Sequence, residues 1–135
     1  MGVADVKLLL VADASDLPAL EAQFAGEFET ESATDAPAAL AILSRKQIDA
    51  LVVHLGIGES PALDVLYGAR KRFPDRPPGM VVVVETFELR AVVEVMRAGA
   101  YDVQLVAALT PGMLAHSVRN ATLLTQLSRR PNPAK

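Results

Sequence analysis

The chain has 135 residues, of which 51% are hydrophobic and 21% charged, which is enough apolar material for one packed domain and too much for a disordered tail. With 13 basic against 16 acidic residues the net charge is −3, which argues against a nucleic-acid or anionic-membrane binder, since both need a clustered positive excess. There is no cysteine, which removes disulfides, thiol nucleophiles and thiolate metal sites together.

The first strand is predicted at Val6–Val11, a near-continuous apolar run of the kind buried on both faces. Asp13-Ala14-Ser15-Asp16 supplies turn and cap residues, and Leu17, Leu20 and Phe24 then mark one face of a helix ending near Gly26. Phe28–Ser32 alternates and is predicted to be an edge strand with one wetter face. Thr34 or Asp35 caps the second helix, with Pro37 in its first turn and Ala39, Leu40 and Leu43 turned inward.

The third strand, Ala50–Leu55, is apolar except for His54 and belongs at the centre of the sheet. Ser60-Pro61 is predicted to open the third helix, whose inner side carries Leu63, Leu66 and Phe73. A turn through Pro74–Gly79 leads to a fourth strand at Met80–Val84. The helix Glu88–Arg97 then ends at Gly99, a suitable left-handed cap. A weaker fifth strand follows at Asp102–Val106. Thr110-Pro111 starts the last helix, which runs to about Arg129 before Pro131-Asn132-Pro133 forbids continuation. Strands alternating with helices through short loops imply an α/β fold. Five of each specify a flavodoxin-like, doubly wound parallel sheet in the order 2-1-3-4-5. The domain is assigned to residues 1–129, with 130–135 as linker or tail.

In such sheets a site forms at the carboxyl ends of the strands, where the strand order reverses. The residues there are Ala12-Asp13, His54, Val84-Glu85 and Val106. Leu8–Asp13, Ile48–Leu55, Met96–Ala100 and Tyr101-Asp102-Val103, taken in order and spacing, resemble the receiver domain of two-component response regulators over roughly residues 6 to 125. The Arg97–Asp102 segment is the most specific of these pieces. The resemblance implies a phosphorelay signalling domain. An acidic pair and a phosphoacceptor aspartate would bind magnesium, and a hydroxyl residue and a lysine would hold the phosphoryl oxygens.

Carried over one position at a time, that machinery is largely missing. The acidic pair falls on Ala12 and Asp13, and the phosphoacceptor position on His54. The hydroxyl position falls on Val84, or on Glu85 with a one-residue shift. The lysine position falls on Val106 and the strand-five aromatic on Val103. Histidine forms no acyl phosphate and is a poor magnesium ligand beside carboxylate. Asp13 is therefore the only remnant ligand, and no metal or other cofactor is expected. The implied function is a pseudo-receiver: a cytoplasmic, non-enzymatic signalling domain that is not phosphorylated and acts by dimerisation or by docking a partner or output domain. A constitutive localisation or assembly module in a larger machine is the alternative.

His54 is expected to fill the vacated pocket and hydrogen-bond Asp13, and Asp13 otherwise to cap the following helix. Gly58–Ala62 is a loose nucleophile elbow that, with His116, would make a small serine hydrolase as a distant third reading; a helix cap explains Ser60 better. Arg70-Lys71-Arg72 is assigned to a solvated helix face and Arg129-Arg130 to a linker. On the last helix Leu114, Val118, Ala121 and Leu124 form a docking stripe, while Leu123 and Leu127 extend apolar character onto an adjoining face. Val92, Met96, Val103, Leu123 and Leu127 are therefore assigned to a homodimer or partner surface, with no direct contact to nucleic acid or membrane. The chain is read as the N-terminal domain of a longer protein, or as a single domain that docks on another.

Overall fold

The computed structural model describes residues 6–24, 26 and 28–128, with the side chains of 126–128 left out. The linker assigned to residues 130–135 lies outside these. Five strands, β1 (Lys7–Val11), β2 (Glu29–Ala33), β3 (Ala50–His54), β4 (Gly79–Val84) and β5 (Asp102–Leu105), form one sheet. All pairings are parallel and the order is β2-β1-β3-β4-β5, as the alternation of elements predicts. β3 and β4 are buried along their whole length, and β1 after its first residue. Their sequences are continuous aliphatic runs because helices cover both faces.

The helices are α1 (Leu17–Ala22), α2 (Ala36–Arg45), α3 (Glu59–Arg72), α4 (Leu89–Arg97) and α5 (Met113–Ser128). The alternation of side chains along each strand divides the core in two. Leu9, Val11, Leu51, Val53, Val82 and Val84 pack against α2, α3 and α4. Leu8, Leu10, Val52, Val81 and Val83 pack against α1 and α5, where Leu20, Leu114 and Val118 meet them.

Boundaries shift where turn chemistry intervenes. Asp35 is the N-cap of α2 and accepts the Ala38 N–H at 2.9 Å, which decides between the two predicted caps. Ser60 does not cap α3. After β3 a single 3₁₀ turn, Leu55–Ile57, carries the chain to Gly58, which occupies the N-cap with φ of 110° and leaves Ser60 in the first helical turn. Only glycine takes that backbone readily. α5 begins at Met113 and not at Thr110-Pro111, because Gly112, at φ of 82°, ends a turn there. α1 is shorter than its periodicity suggests. Phe24 lies beyond its end yet stays buried, with its ring edge-to-face against Phe28 at 5.6 Å.

Two predicted faces need correction. Leu124 does not belong to the docking stripe of α5: Leu114, Val118 and Ala121 are buried, but Leu124 is 48% exposed. Ala121 and Thr122 already lie against Gly79, the first residue of β4, so the next turn of α5 overhangs the end of the sheet. Arg70 stands on an exposed face, but it also donates to the Arg97 and Ala98 carbonyls at 3.3 and 3.2 Å, satisfying acceptors at the end of α4.

Candidate functional site

The carboxyl ends of β1, β3 and β4 converge on His54, the last residue of β3. It sits opposite Val83 in the parallel register and is 5% exposed. Nδ1 accepts the Gly56 N–H at 2.9 Å, so the neutral ring carries its proton on Nε2. A Cβ at position 56 would stand 2.7 Å from Nδ1, so any larger residue there displaces the ring. Two carboxylates flank the ring: Asp16 Oδ2 is 3.7 Å from Nδ1, and Glu85 Oε1 is 3.4 Å from Nε2. A half-open cavity of about 170 Å³ lies beside them, walled by Ala19, Leu20, Val83, Val106 and Leu109.

The expected His54–Asp13 hydrogen bond is not formed. Asp13 Oδ1 instead accepts from the Ser15 N–H and hydroxyl and from the Asp16 N–H, which closes a turn on its own loop. These bonds, the Ser15 hydroxyl above all, hold the Asp13 carboxyl below its ordinary value. Nor does Asp13 cap α1, whose N-cap is Asp16. Asp13 lines a separate cleft toward α2 and α3, with Asp35 and Asp64. The turn that engages Asp13 is what brings Asp16, three residues on, to the imidazole. A sequence search for ligands immediately after β1 overlooks Asp16 for that reason.

Ala12 is fully buried in the α1/α5 core, where it offers no donor. Val84 faces the opposite layer and packs with α2, α3 and α4, so β4 presents Val83 and Glu85 to the site. Val106 lines the cavity from the 3₁₀ turn after β5, and Val103 is half-buried against the other layer. Ser60 and His116 lie on α3 and α5, in opposite helical layers with the sheet between them, and so make no dyad. His116 is exposed and pairs with Asn120.

No protein-family model matches the sequence, and no curated protein matches it significantly. Solved structures do match. The receiver domain of a CheY-like response regulator from Methanospirillum hungatei JF-1 superposes with a TM-score of 0.77 at 19% identity, covering 91% of this chain and 98% of that one. The fold is that of receiver domains. The signal receiver domain of an HD domain-containing protein from Pseudomonas fluorescens Pf-5 gives 0.78 at 16% identity, over 90% and 98% of the two chains. The receiver domain of a sensor histidine kinase from Pseudomonas aeruginosa PAO1, which has magnesium coordinated in its active-site cleft, gives 0.74 at 14% identity over the same shares.

On this receiver fold the residues do not suit magnesium. The ion is hard and takes near-octahedral oxygen ligands, but here Ala12 has none, Asp13 is engaged in its own turn, and the strand-three position offers nitrogen.

The outer surface of α4, β5 and α5 carries Met96, 46% exposed, and Leu123, 53% exposed, with Val92 and Val103 half-buried beneath. The side chain of Leu127 lies outside the described residues. Val93, Tyr101 and Leu124 add exposed apolar area that the sequence reading did not assign to this surface. Among the described residues no helix is long and apolar enough to cross a membrane.

Proposed function

We propose that this chain is a receiver-like signalling domain that works in the cytoplasm without an aspartyl phosphate. The α4–β5–α5 surface passes the signal on, to a second copy or to a protein partner or output domain. The observation that carries this reading is the end of β3, where a buried imidazole stands in place of a carboxylate. An imidazole forms no acyl phosphate, and on the β5 side the cavity is lined by Val106, which carries no ammonium. Both changes remove acyl-phosphate chemistry while leaving the scaffold and its outer apolar surface intact. Input then comes from binding at the surface, which shifts populations only as far as the partner discriminates between conformations.

Acetyl phosphate, or beryllofluoride, added with magnesium tests the reading directly. The expected result is an unchanged intact mass and no magnesium-dependent change in the amide spectrum. A stoichiometric adduct, or a saturable magnesium-dependent shift at the strand ends, overturns it.

A further inference from the structure

We infer that Asp16, His54 and Glu85 form a binding site for a borderline divalent transition ion of the zinc class. The inference is independent of whether the chain signals. One ligand atom from each residue can be chosen so that all three lie within 4.8 Å of one another. They come from three separate elements, the β1–α1 loop, the end of β3 and the loop after β4, so the fold gathers them and local sequence does not. Four-coordinate zinc, with bonds of about 2.0–2.2 Å, spaces its donors roughly 3.4 Å apart. Nε2 and Glu85 Oε1 are already 3.4 Å apart, while Asp16 Oδ2 lies 3.7 Å from the other ring nitrogen and must turn to reach the same ion.

The donor set decides the metal class. One imidazole nitrogen with two carboxylates suits zinc, cobalt or copper, and offers magnesium too few oxygens. The imidazole side chain is 6% exposed and held on a strand, while Asp16 and Glu85 are 33% and 61% exposed and free to turn toward a common centre. The adjoining cavity of about 170 Å³ has room for water to complete the coordination shell. Only one ring nitrogen bonds a given ion, and coordination through either one ends the Gly56 hydrogen bond. A metal on Nε2 places the ring proton on Nδ1, and Asp16 and Glu85 supply the two carboxylate donors.

Zinc chloride titrated into the full chain, followed by calorimetry and by the His54 ring resonances, tests this. The result expected is one ion per chain. Cobalt at the same site gives the visible absorption of a four- or five-coordinate ion, and millimolar magnesium does not compete. Glu85→Gln and His54→Gln each weaken binding by about tenfold or more, while His116→Gln leaves it unchanged. An absence of saturable zinc binding overturns the inference, as does binding that survives His54→Gln or is lost in His116→Gln. If His54→Gln fails to fold, Glu85→Gln decides alone, because that side chain is exposed, and an unchanged affinity overturns the site.

Discussion

Asp13 and Asp16 show how a three-residue turn assigns different work to two identical side chains. Asp13 is held as carboxylate by the Ser15 hydroxyl and by two backbone N–H groups, while Asp16 is left for the imidazole. The folded chain therefore binds the Asp13 proton more weakly than the unfolded chain does. The resulting stability is complete above the ordinary value of 3.8 and is lost as pH falls through the depressed folded value. Glu59 behaves in the same sense, because Arg90 grips it through two bonds of 2.7 Å. Ser15→Ala removes the largest cause at Asp13, so the carboxyl titration followed by NMR should move up toward 3.8. A midpoint that stays where it is in the wild-type chain shows that the backbone bonds suffice.

β4 and α5 approach closely at Gly79. A Cβ at Gly79 would lie 2.6 Å from the Ala121 carbonyl carbon and 2.7 Å from the Thr122 nitrogen, both backbone atoms that no rotamer change can clear. Gly79→Ala must lift α5 from the sheet, and urea denaturation should show a loss of about 1–3 kcal/mol or more. An unaltered midpoint means that α5 is not seated as described. The sequence marks Gly79 only as the end of a proline-rich turn, because close approach between two elements distant in the chain leaves no local pattern. The caps divide in the same way. Asp35 was legible because an N-cap aspartate acts on its own helix. Ser60 was misread as a cap because the 3₁₀ turn before Gly58 resets the start of α3.

For the molecule as a whole, α4, β5 and α5 present exposed apolar side chains to solvent. Met96 and Leu123 are its exposed members among the residues assigned from sequence. If this surface pairs two copies, Met96→Glu and Leu123→Glu each place a charge in an apolar contact. Sedimentation velocity should then show a dimer giving way to monomer at the same protein concentration, with thermal stability of the monomer unchanged within about 0.5 kcal/mol, as for other surface substitutions. A wild-type chain that sediments as a monomer at all concentrations rules out the homodimer and leaves a different protein as the partner.

The composition and periodicity of the chain by themselves determined the class of fold. The order and type of the elements, the two-sided burial of β1, β3 and β4, and the lack of a lysine at the end of strand five and of a carboxylate at the end of strand three are properties of neighbouring residues, readable wherever the period is 2 or 3.6. Only the tertiary structure decided which side chains meet. It turned Asp13 away and Asp16 inward, and placed Glu85 beside His54 with Val84 in the opposite layer. It also lifted Leu124 off the end of the sheet. The physical reason is common to all of these. A one-residue change in turn or register reverses the direction of a side chain, and the length of a loop is set by the elements it must join. The net charge of −3 says nothing of where carboxylates converge. The sheet does that, by ending three of its strands around one imidazole.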